Sequence, residues 1–154
     1  MAGYRIIDEP LPSGLERLAT NPFWPFLASM FAGAWLAWPW FAFNAFALGS
    51  GRRFGDLALV ISGLIVNTVL VLLLVGLVNQ RTLDGEAFAY ALLVPQGLRL
   101  VLLYWIYLRQ ERTFELFTHF GGDARNGMAV VFVGAVVNQW LIAPSTALWT
   151  LLLR

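Results

Sequence analysis

Four long, nearly continuous apolar stretches run through the chain, at residues 23–48, 57–78, 87–108 and 128–153, with short polar segments between them. Roughly 20 residues at about 1.5 Å rise each are enough to cross a hydrocarbon core of about 30 Å, so each stretch is long enough to span a bilayer. The pattern predicts an all-α integral membrane protein, a bundle of four transmembrane helices. Because the runs are continuous and do not alternate, a β-barrel is excluded. The polar connections at 49–56 and 79–86 are short, and short connections join antiparallel neighbours.

Local signals refine these elements. The tail, residues 1–22, has no apolar core of the kind a signal peptide needs. Ser13 and Glu16 have capping-box spacing, and Leu11, Leu15 and Leu18 fall on one face, which predicts a short interfacial helix. Asn21 followed by Pro22 reads as N-cap and first helical residue of the first span. Pro39 inside that span predicts a kink, and Ala28, Ala32, Gly33 and Ala37 give it small-residue faces for close helix packing. Beyond 87–108 the helix is expected to continue over 109–120, with Phe114, Phe117 and Phe120 on one face and Gly121 and Gly122 as the stop. The transmembrane domain is thus 23–154.

The third stretch admits a second reading. Its eleven strongly apolar residues contribute roughly −3 to −6 kcal/mol to insertion, and Arg99 at its middle costs about +2.5 to +3.5 kcal/mol. Pro95, Gln96 and Gly97 weaken it further. The alternative is three spans plus a re-entrant or interfacial segment at 87–108. With four spans, Arg5, Arg17, Arg81 and Arg154 face Arg52, Arg53, Arg109, Arg112 and Arg125, which gives no orientation. If the third stretch does not cross, the count becomes seven against three, with a cytoplasmic N-terminus.

Composition agrees with the pattern. The chain of 154 residues is 59% hydrophobic and 12% charged, about half the usual charged fraction, and its mean hydropathy is +0.70. Disorder and nucleic-acid binding are excluded, the latter by a net charge of +1 without basic clustering. The absence of cysteine excludes disulfides, thiolate metal sites and thiol nucleophiles. All ten basic residues are arginine, a usage that points to a high-GC bacterium and hence to a bacterial cytoplasmic membrane.

The candidate chemistry is a polar layer at the bilayer midplane: Asn67 in the second span, Gln96 and Arg99 in the third, Asn138 and Gln139 in the fourth. Gln96 and Arg99, three residues apart, share a helix face. No acid lies in any predicted span, so Arg99 has no counter-charge at its depth. Freed carbonyls and the amides can solvate it, an anionic ligand, lipid phosphate or foreign acid can neutralise it, or it snorkels out of the core. The missing acids argue against a proton pump. His119 is the sole histidine and reads as a solvated side chain, and no metal site or cofactor is expected. Ser29, Ser62 and Ser145 lack a base, and Glu111 and Glu115 are interleaved with Arg109 and Arg112 as a solvated face. The seven tryptophans read as packing and interfacial residues.

The expected function is therefore non-catalytic: an accessory, scaffold or assembly subunit of a membrane complex. Its expected partners are the lipid bilayer and other membrane subunits or copies of itself, without nucleic acid. A small permease or channel-like oligomer lined by the polar layer is the alternative, and a lipid-modifying membrane enzyme comes third.

Overall fold

A computed structural model of the chain describes residues 14–80 and 85–142. Those residues are helical and joined by turns, with no β-strand among them beyond an isolated backbone bridge between Thr20 and Arg125. In order they form α1 (Phe23–Phe31), α2 (Ala34–Ala47), α3 (Arg53–Asn79), α4 (Gly85–Ala91), α5 (Leu93–His119) and α6 (Met128–Val137), followed by a wide π-type turn at Asn138–Ile142. Ser13 and Leu11 lie outside the described residues, and the segment after them holds a single 3-10 turn at Glu16–Leu18.

Residues 23–48 are not one helix. Asn21 caps α1 as its position predicts, its Oδ1 accepting the Phe23 N–H at 2.8 Å. The chain then breaks at Ala32–Gly33, where both N–H groups end on the Ala28 carbonyl and Gly33 takes φ +98°, a conformation open to glycine and costly for other residues. Pro39 stays inside α2. Laid end to end, α1 and α2 would hold Thr20 and Asn44 more than 30 Å apart at about 1.5 Å per residue. Instead the Thr20 N–H donates to Asn44 Oδ1 at 2.9 Å. The two helices therefore form an antiparallel hairpin whose ends lie together, and the expectation of a single kinked span over this stretch is corrected.

α3 and α5, each of 27 residues, form the long pair of the fold. Among the described residues α3 is the one helix long and apolar enough to cross a membrane. In α5 an apolar first half is followed by the charged 109–119 stretch, and the helix ends at Phe120–Gly121, with Gly121 at φ +85°. Leu92 separates α4 from α5. Pro95 sits in the first turn of α5, where its missing N–H breaks no helical bond. The fourth stretch is described only to residue 142, as α6 and the π turn.

Ala34, Ala37, Trp38 and Phe41 of α2 pack with Val60 of α3 and Leu103 and Ile106 of α5 in the main core. Helix approach there depends on Gly63, since a Cβ at that position would lie 2.6 Å from Trp38 Cη2. A second core joins Ala28, Ala32 and Trp40 to Val131. Gly127 lies against Trp24 and Gly134 against Ala32 and Leu36, so α6 runs alongside α1 in the same direction.

Candidate functional site

Two groups of buried polar side chains stand out, one at each level of the hairpin. At its open end, Asn44 is fully buried on α2. Its Oδ1 accepts from the Thr20 N–H and hydroxyl at 2.9 and 3.2 Å, and its Nδ2 donates to the Thr20 carbonyl at 2.9 Å and to Gln110 Oε1 at 3.3 Å. Gln110 Nε2 donates to the Phe41 carbonyl at 2.7 Å, and Trp40 Nε1 to the Thr20 hydroxyl at 3.1 Å. Every amide position of Asn44 and Gln110 that matters to the seam is thus used, which makes the network a structural clamp rather than a vacant site. Sequence reasoning passed over both residues, although Asn44 is the one side-chain amide within 23–48.

The same end carries the ion pair of Asp56 and Arg109, with Oδ1 2.9 Å from Nη2 and 3.0 Å from Nε. It locks the start of α3 to the point where α5 becomes charged. Nearby, the Arg53 guanidinium lies 5.8 Å and 5.3 Å from the ring centres of Phe46 and Phe54. The Arg125 N–H reaches the Ala19 carbonyl at 2.8 Å, bringing the 120–127 turn to the same end.

The second group lies deeper and contains the residues singled out by sequence. Arg99 is 6% exposed and its Nη2 donates to Gln96 Oε1 at 2.6 Å, the bond that i, i+3 spacing permits. Its Nε is buried without a hydrogen-bond partner. Asp56, the partner of Arg109, lies eleven residues from Asn67 along α3. Because α3 and α5 are antiparallel and joined at Asp56–Arg109, Asn67 and Arg99 fall at one level, some 15 Å further in at about 1.5 Å per residue. Asn67 is 4% exposed. The other two members of the expected layer follow α6, which packs on α1: Asn138 is buried with its Oδ1 unpartnered, and Gln139 is exposed. Of the five residues, Arg99 and Gln96 are bonded to each other, Asn67 is level with them, and Asn138 and Gln139 follow α6 on the side packed against α1.

Among the described residues no group of three or more acids or histidines is placed to hold a metal ion. His119 is exposed at the end of α5 beside the Phe120 ring. The chain matches no protein-family model, no curated protein and no solved structure.

Proposed function

We propose that the chain is a small polytopic protein of a bacterial cytoplasmic membrane, acting without catalysis as an accessory, scaffold or assembly subunit of a membrane complex. The observation that carries this reading is the placement of side chains on the two long helices. α3 exposes Ile61, Ile65, Val69 and Leu72 and buries Asn67, while α5 exposes Leu100, Val101, Trp105 and Leu108 and buries Arg99 and Gln110. Apolar surface of this extent is disfavoured in water and costs nothing against lipid, whereas polar groups in lipid must turn inward.

Within that reading α3, α5 and the segment opened by α6 cross the bilayer, and the α1–α2 hairpin enters and leaves on one side. The folded-back hairpin supports one orientation where four spans left it undecided. Arg17, Arg52, Arg53, Arg109, Arg112 and Arg125 all belong to the end where Thr20 meets Asn44. The positive-inside rule then makes the open end of the hairpin cytoplasmic. The natural absence of cysteine makes the test direct. A cysteine at Gln80 should react with an impermeant thiol reagent in spheroplasts, and one at Gly51 only after permeabilisation. Equal labelling at both sites would refute a crossing by α3, and the opposite order would invert the orientation.

A second reading, a small permease or channel-like oligomer, is favoured by one feature: the turn between α1 and α2 lies near the depth of Arg99, and broken helices ending at the midplane are how many transporters build substrate sites. Purification in mild detergent separates the two. An accessory subunit brings down a stoichiometric foreign partner; a permease runs as a closed homo-oligomer whose flux in liposomes is abolished by Arg99→Leu.

A further inference from the structure

The buried stripe of α5 runs Pro95, Arg99, Leu103, Ile106, Gln110, and it can be followed against α2 step by step. Gln110 bonds the Phe41 carbonyl, and Ile106 and Leu103 share a core with Trp38, Ala37 and Ala34. α2 begins at Ala34, so the next position on the stripe, Arg99, falls about one helical turn beyond the N-terminus of α2. The register of α1 agrees. The Phe26 ring lies 5.9 Å from Tyr104 and 5.5 Å from Tyr107, which puts Ala32–Gly33, six to seven residues deeper on the opposed helix, level with Arg99.

This helix start has no internal acceptor. Gly33 supplies no side-chain cap, Ala32, Gly33 and Ala34 are buried, and the first N–H groups of α2 have no acceptor within the helix. Such an end carries about +0.5 of an elementary charge. Arg99 brings a full positive charge to the same level with its Nε unpartnered. Two positive ends buried together, with no described acid at that depth, form an electrostatically incomplete arrangement.

We propose that the space between the N-terminus of α2 and the Arg99–Gln96 pair is a binding site for one singly charged oxyanion. A total near +1.5 matches one negative charge, and the free Nε and the α2 N–H groups are all donors, as a carboxylate, a nitrate or a phosphodiester requires. The Gln96 bond holds the guanidinium in place by using Nη2, so the Nε edge meets the ligand. A free monoanionic solute and the phosphodiester of a membrane lipid present this same chemistry. The inference deepens the membrane reading but does not depend on the accessory or permease assignment.

The test uses the full chain in mild detergent, with tryptophan-detected thermal unfolding in potassium formate, acetate and nitrate against a bulky sulfonate at equal ionic strength. Native mass spectrometry on the same preparation reports retained phospholipid. A saturable rise in Tm with a small anion, lost in Arg99→Met and kept in Arg125→Gln, establishes a site for a free solute. Phospholipid retained by the wild type and lost in Arg99→Met, with no small-anion response, establishes the lipid as the source. The proposal is overturned if the wild type shows neither a saturable anion response nor retained phospholipid, or if Arg99→Met behaves as the wild type in both. Should Arg99→Met fail to fold, Arg99→Lys replaces it, and a weakened response is expected because an ammonium lacks the guanidinium's Nε donor; an undiminished response would overturn the proposal. Loss of the protein from the membrane fraction would sink the membrane reading alone, whereas a membrane-bound chain without ligand would sink this one alone.

Discussion

Replacing Asn44 by leucine should open the seam that holds the hairpin closed. Leucine is close to asparagine in size, so the change isolates the polar atoms. It strips a partner from the Thr20 N–H, the Thr20 carbonyl and Gln110 Oε1, whereas the Thr20 hydroxyl keeps its bond from Trp40. A buried group left unsatisfied costs about 1–3 kcal/mol, and burying the leucine side chain returns about 1.5–3 kcal/mol. The net expectation is a destabilisation of about 2–5 kcal/mol. Denaturant unfolding in detergent measures it, and the paired variant Gln110→Leu turns it into a cycle. Once Asn44 is gone, removing Gln110 also removes one stranded acceptor, so the double variant should fall short of additivity by about 1 kcal/mol. A single variant within about 0.5 kcal/mol of the wild type, or a strictly additive pair, would show that the seam is wet or open and that Thr20 and Asn44 do not seal the hairpin.

Gly63→Ala places a methyl group against Trp38 and should cost about 1–3 kcal/mol in the same unfolding assay, with much of the loss regained in Gly63→Ala/Trp38→Phe. Arg109→Gln leaves the Asp56 carboxylate, 3% exposed, without its cation and should destabilise the chain by about 1–3 kcal/mol, whereas Arg112→Gln on the exposed side should change little. Arg99→Leu should leave the amount in the membrane fraction unchanged but disrupt assembly or flux, read by partner recovery and liposome assay, with Asn67→Leu milder in both; a fully assembled, functional Arg99→Leu protein would remove Arg99 from any functional role.

Local features were legible in the residue order because local geometry fixes them. The Asn21 cap, the Gln96–Arg99 bond, the continuation of the third helix past residue 108 and its stop at glycine all rest on neighbours within four positions. The depth of Asn67 and Arg99 follows from counting along helices. The hairpin was not legible, since hydropathy over 23–48 is high throughout and carries no information on the direction of the chain. Proline drew the eye to position 39, yet the reversal falls at Gly33, where backbone conformation and the distant partners of Asn44 decide it. Sequence places Asn138 and Gln139 with Arg99 only by depth, and depth does not report on lateral position. α6 packs on α1, away from α3.

The clamp at the mouth of the hairpin also sets an order of assembly. Asn44 meets Thr20 across 24 residues of chain, but Gln110 only across 66, and Ala19 waits for Arg125 to be synthesised. During synthesis from the N-terminus, α1 and α2 therefore emerge as a pair whose bonds to Gln110 and Arg125 are still unmade, and they remain so until α5 and the turn after it have been made. In the membrane reading proposed above, a polar seam left unmatched for that interval favours holding the hairpin at the headgroup level or against an insertion factor. Its final depth is reached late, when Gln110 arrives, so the earliest apolar segment of the chain becomes one of the last to settle.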